Sequence, residues 1–193
     1  MREFVDQVHP VEEEYYKVMD RFTGKNAPYI IPKLKRLIRL DPYYFEPYNS
    51  LVDLLILVGK DSEAYNLINL ASKRALKRIV DRNGKWPNLL KWSRIENRHI
   101  IMALLNRAIF YWDNEQPKKA LGLFRKLLKS NPNDNIGARD FILAINMNMT
   151  FDQFEDRFNK GGYYDKDLME WFDANYKKFP HEFEWWEKKS GIL

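Results

Sequence analysis

Three histidines are the first residues to test for chemistry, because imidazole is both a proton shuttle near neutral pH and the commonest metal ligand. His9, His99 and His181 stand far apart, and none has a second histidine nearby. The segment His181-Glu182-Phe183-Glu184 is the nearest approach to half a metal site. Metal centres need converging ligands held by a second set of contacts, so this segment reads as a solvated tail. The chain has no cysteine, which removes disulfides, thiolate catalysis and cysteine-ligated zinc. It also lacks a phosphate-cradling glycine loop, a nucleophile elbow and a His-Glu-x-x-His helix. An EF-hand loop counted from Asn131 fails, since its sixth position is Ile136 and its twelfth Ile142. Glu12, Glu13 and Glu14 read as the negative first turn of a helix. No catalytic residue, metal or cofactor is expected, and the chain reads as a non-enzyme.

Charge is more informative. Lys73, Arg74, Lys77, Arg78, Arg82, Lys85, Lys91, Arg94 and Arg98 face only Asp81 and Glu96, nine cations against two acids and a net of +7, where the whole chain carries +5. Trp86 and Trp92 lie inside the same stretch. Cations interleaved with aromatic planes suit nucleic acid or an acidic partner. The alternative is a solvated helix face whose lysine and arginine stems cover the tryptophans. Both readings stand at the level of sequence.

The elements that would position these residues are helices. Apolar residues recur at helical spacing over residues 11–22, with Gly24 as the stop, and over a stretch beginning near Pro28–Pro32 and running to Leu40. Pro32 fits that second helix only in its first turn. Residues 44–58 form a third, closed by Gly59, and Asp61 is the expected N-cap of a fourth over 62–80. Residues 103–132 read as two helices with a turn at Asp113–Gln116, Pro117 in the first turn of the second, and Pro132 as the stop. A helix over 136–147 follows, then one over 151–159 opened by a Thr150/Gln153 capping box and ended by Gly161-Gly162. A last helix over 165–178 precedes a tail from His181. No strand pattern is present. Twelve aromatic rings fall between Phe151 and Trp186, and Phe151–Phe154–Phe158 and Phe172–Tyr176–Phe179 have the spacing of buried helix faces. Trp185-Trp186 reads as partly exposed, packing on a neighbouring helix or a second subunit.

The hairpin over 103–132 resembles a tetratricopeptide repeat. Leu104, Ala108, Tyr111, Ala120, Phe124, Leu127 and Pro132 fall on the family's signature positions, while Arg107 stands where leucine is usual. With the family's period of about 34 residues, Ala64 lies 19 residues after Phe45 and Ala71 7 further on, as Ala120 lies 19 after Ile101 and Leu127 7 further on. The resemblance implies one all-α domain over 1–193, in which antiparallel helix pairs stack as a right-handed solenoid. Repeats fall at about 11–44, 45–78 and 101–134 with a partial one at 135–160. An insertion spans about 79–100, and a capping helix with its tail covers 165–193. It further implies a concave groove lined by first helices, here Asn49, Asp53, Ile56, Met102, Leu105, Asn106, Ile109, Trp112, Arg139, Leu143 and Asn146. The expected function is a protein-interaction module that binds a peptide or partner in that groove, with nucleic acid or an acidic partner at the basic patch as the alternative. No run of 18 apolar residues offers a membrane span, and Arg2-Glu3-Phe4-Val5-Asp6 puts acids where an export signal needs an apolar segment. A cytoplasmic location is therefore expected.

Overall fold

In a computed structural model the protein is described over residues 1–161 and 166–190. Gly162, the rings of Tyr163 and Tyr164, the expected helix start at Asp165, and residues 191–193 of the tail lie outside those residues. The described chain is all-helical, with no strand; an isolated parallel bridge joins Glu3 and Leu89. None of its helices is long and apolar enough to cross a membrane. Two compact units divide inside the fifth helix, Met1–Arg107 and Ala108–Leu193, where the sequence suggested one domain.

The first unit contains α1 (Glu12–Met19), α2 (Ala27–Leu40), α3 (Glu46–Leu57), α4 (Asp61–Ile79) and the start of α5 (Arg98–Asp113). α1 packs on α2, α2 on α3 and α3 on α4. Their seams bury Ile30, Leu34, Leu37, Ile38, Phe45, Leu51, Leu55, Ala64 and Ala71, while Leu40, which the helical spacing puts with Leu34, Leu37 and Ile38, is exposed at the end of α2. Ala64 is fully covered, since a methyl group lets two backbones approach closely. Two details differ from expectation. Pro32 sits inside α2 rather than in its first turn, tolerated because it is on the exposed side while Ile30 and Leu34 anchor the buried side. Asp61 is the first helical residue of α4, with Lys60 as an N-cap whose side chain makes no capping bond and pairs with Glu63 instead.

The stretch 79–100 has a structural task. The Phe4 N–H donates to the Leu89 carbonyl at 2.9 Å, and the N–H groups of Asn88 and Leu89 donate to the Arg2 carbonyl. Asn97 accepts the Asp6 N–H at 3.0 Å and donates to the Phe4 carbonyl at 2.9 Å. Residues 2–6 are thereby laid along the loop that precedes α5.

The second unit holds the end of α5, then α6 (Pro117–Ser130), α7 (Ala138–Asn146), α8 (Phe151–Phe158), α9 (Lys166–Asn175) running into a 3-10 turn (Tyr176–Lys178), and α10 (Pro180–Ser190). Pro117 opens α6, and the Thr150/Gln153 capping box forms as expected. Its core is aromatic: Trp112, Phe141, Phe154, Phe158 and Trp171 meet at ring centroids 5.0 to 6.0 Å apart. Gly137 precedes α7 at φ +69°, a conformation that favours glycine, and a Cβ there would stand 3.3 Å from Asp140 Oδ2. The expected solvated tail is instead α10. It buries Phe183 and Trp186, bonds Trp186 Nε1 to the Pro132 carbonyl at 2.8 Å and pairs Glu182 with Arg125. Its two aromatic rings supply the apolar face that a free tail would have left wet.

Candidate functional site

Two of the three histidines meet. His9, ahead of α1, and His99, in the first turn of α5, bring their rings to 5.1 Å with Asp6 beside them. Asp6 Oδ2 lies 3.3 Å from Nε2 of each ring. All three residues are buried, and their ligand atoms lie within 4.8 Å of one another. The set invites a metal reading, which the proton positions answer.

His99 Nδ1 accepts the Phe45 backbone N–H at 2.9 Å. A backbone amide can only donate, so Nδ1 is bare and Nε2 of the neutral ring carries the hydrogen. A metal on Nε2 would require that proton to move to Nδ1, against the amide. Asp6 is also occupied: its Oδ1 receives Nε and Nη2 of Arg78 at 3.0 and 2.7 Å. These residues therefore do not fit a metal. Nε2 of His99 points its hydrogen away from a straight bond and has no hydrogen-bond partner, so its contact with Asp6 is electrostatic. His9 differs, for its Nδ1 faces Asp41 Oδ2 at 2.8 Å while Nε2 faces Asp6. Only the doubly protonated ring donates to both.

The charges follow the same division. Burial pulls His9 toward neutrality, but hydrogen bonds to Asp6 and Asp41 outweigh it and hold its pKa above the usual histidine value. His99 is lowered, first by burial and against the pull of Asp6. Burial raises Asp6, yet the bonds from His9 and Arg78 and the electrostatic contact with His99 prevail and hold it well below the ordinary carboxylate range. The cluster is a carboxylate between an imidazolium and a guanidinium. With both nitrogens of His9 taken, it offers no general base. His181, by contrast, stays exposed on α10 with Glu182 3.8 Å away.

The residues expected along a groove take several fates. Leu105, Trp112 and Leu143 are buried in the cores, because the faces assigned as concave are their units' packing faces; Trp112 also borders a concavity of the second unit with Met149 and Phe151. Trp112 also spends Nε1 on the Met149 carbonyl at 3.0 Å. Asn49 gives its amide to the His99 carbonyl and lies 3.4 Å from Asn106. Arg139 spans Asp134 and Asp140 and covers the rings of Phe172 and Trp186. Asp53 and Ile56 are exposed, and Met102, Asn106, Ile109 and Asn146 are half-buried.

The basic patch divides too. Arg78 holds Asp6, Arg74 donates to the Tyr48 hydroxyl, and Lys91 and Arg94 pair with Glu3. Arg98 donates to the Trp92 carbonyl and lies over the Trp92 ring. Lys73, Lys77, Arg82 and Lys85 remain exposed.

Two concavities of the first unit were not foreseen. One, of about 350 Å³, lies between α2 and α4 over α3. Ile38, Leu51 and Leu55 floor it, Leu67 and Leu70 wall it, and Lys35 and Arg39 stand at its rim. The other, of about 330 Å³, adjoins His9 and His99 and is lined by Glu12, Tyr16, Tyr44 and Glu46 among others. The alternating burial along α2 and α4 carries the first in the sequence, whereas no spacing reveals the second. No protein-family model, curated protein or solved structure matches this chain.

Proposed function

We propose that the chain is a non-enzymatic interaction module of stacked helical hairpins, similar in its repeat register to tetratricopeptide proteins. Its first unit takes a short amphipathic helix of a partner protein. The observation that carries this reading is the open apolar groove between α2 and α4, with Ile38, Leu51 and Leu55 beneath and Leu70 exposed at its side. A volume of about 350 Å³ admits two or three aliphatic side chains, each contributing about 1.5–3 kcal/mol when fully buried. Those anchors recur at i and i+3 or i+4 on a bound helix. Lys35 and Arg39 at the rim favour acidic flanks, although Glu63 already faces Lys35 at 2.9 Å.

Selection of helical peptides against the folded protein tests this. Enriched ligands should carry paired apolar anchors with acidic neighbours, and Leu70→Asp should abolish binding with the helical circular dichroism unchanged. Ligands insensitive to Leu70→Asp overturn the assignment.

A second reading rests on the four cations left exposed, Lys73, Lys77, Arg82 and Lys85. Binding of single-stranded RNA that falls steeply with salt supports it. Retention of that binding after all four become alanine rules it out. Arg78 is kept out of this test because it holds Asp6.

A further inference from the structure

The cavity beside the histidines is lined by three acids, Glu12, Glu46 and Glu96, and by a buried hydroxyl without a partner. Glu12 and Glu46 open α1 and α3 and are both half-buried. Among the described residues neither forms an ion pair. Glu46 is raised by burial and then by Glu12. Tyr44 is 3% exposed, and its hydroxyl has no hydrogen-bond partner. The ring stacks on His9 at 5.0 Å, and the hydroxyl lies in the field of Tyr16, Glu46 and Glu12.

First-turn acids complement a helix dipole. That role accounts for an exposed carboxylate, but not for Glu46 held against Glu12, nor for a bare buried phenol. The nearby cations are committed elsewhere. Arg98 turns to Trp92, and the charge of His9 is met by Asp6 and Asp41. The cavity therefore presents excess negative charge, phenol rings and three oxygen acceptors.

We propose that this cavity binds a primary ammonium group, whose three N–H donors meet Glu12, Glu46 and the Tyr44 hydroxyl beside the Tyr16 ring. An ammonium has three donors and no acceptor, which matches that set. Aromatic walls suit an alkylammonium, whose methylene stem is apolar and whose head is attracted to ring faces. A space of about 330 Å³ takes several carbons beyond the head. The ligand is a free alkylamine or the side chain of a partner's lysine, and these share one chemistry.

Titration with n-butylammonium, followed through the ring signals of Tyr16 and Tyr44 at constant ionic strength, tests the site. Saturable shifts are expected, weakened about tenfold by Glu46→Gln, as suits loss of a charge-assisted bond. Tyr44→Phe should weaken binding without lowering stability, since the hydroxyl has no partner to lose. Tetramethylammonium, which lacks N–H donors, should bind more weakly. A tripeptide with a central lysine distinguishes the source. Tighter binding than butylammonium supports a protein side chain, and equal or weaker binding supports a free amine. Absence of saturation, or shifts unaltered by both substitutions, overturns the proposal. Leu70→Asp, in the other groove, should leave this titration intact.

Discussion

The backbone N–H of Phe45 donates to Nδ1 of His99 at 2.9 Å, and that bond places the His99 proton on Nε2. A residue at the start of one helix thus decides the chemistry of a ring in another, 54 positions away. Long-range nitrogen–proton correlation spectra should show His9 as doubly protonated at pH 6 and His99 as the neutral Nε2–H tautomer at pH 7.5. Added cobalt(II) should produce no tetrahedral absorption bands that depend on His99. Bands lost in His99→Gln would mean that the cluster is a metal site after all.

Removing the guanidinium should expose how much the Asp6 charge depends on it. Asp6 has no accessible side-chain surface, and Arg78 is its closest cation at 2.7 Å. Breaking a buried pair from one side costs about 3–5 kcal/mol, so Arg78→Gln should lower the urea midpoint sharply. Adding Asp6→Asn should recover part of the loss. A single substitution within about 0.5 kcal/mol of wild type would contradict the buried-pair account.

The same cluster sets a window of pH. The lowered pKa of Asp6 gives stability that is complete above its unfolded value near ~3.9 and lost as pH falls below it. The raised pKa of His9 gives stability that is complete below ~6.5 and lost as pH rises through the folded value. These two contributions coincide between about pH 4 and 6.5. Denaturation series at pH 3, 5.5 and 9 should therefore show His9→Gln most costly at the middle value and least costly at pH 9.

Asp134 has the opposite sign. Its carboxylate accepts the N–H groups of Ala138 and Arg139 at 2.8 and 3.0 Å, yet burial, with Asp140 adding to it, pushes its pKa up to about 7. The folded state then holds a proton that the unfolded chain releases near ~3.9, so stability declines as pH rises from about 4 to 7. Asp134→Asn keeps an acceptor, tolerates the φ of +48° found there, and removes the titration. The variant should lose much of that decline and match or exceed wild type at pH 8. An unchanged pH slope would refute this account.

The helix at the far end should prove structural. Trp186 is 3% exposed and bonded to the Pro132 carbonyl, so Trp186→Ala should cost about 3–5 kcal/mol. Resistance of the second unit to limited proteolysis gives the readout, and an unchanged cleavage pattern would mark α10 as dispensable.

Local signals carried most of the helices. Ala64 and Ala120 are buried on the apolar faces of their helices, and Thr150 caps α8 as its neighbour Gln153 suggested. These features depend on residues a few positions apart, which a sequence displays directly. The histidine cluster depends on Asp6, His9, Asp41, Arg78 and His99, which no spacing rule joins. Arg78 looked like one cation of a surface patch, and its internal role becomes visible only when Asp6 is known to lie against it. The tail misled for a related reason. Its charges are local, whereas the pocket that receives Phe183 and Trp186 is made by other helices.

The tether between residues 2–6 and the loop at 88–97 also orders events in time. During synthesis α1 to α4 emerge and can pair with their sequence neighbours while Asn88, Leu89 and Asn97 are still inside the ribosome. The opening segment must wait through that interval with no seat, and contacts across some ninety positions form late. A nascent chain stalled so that Ile79 has emerged while Asn88 is still inside the ribosome should hold its four helices yet leave that opening segment open to a protease, and one stalled well beyond His99 should protect it.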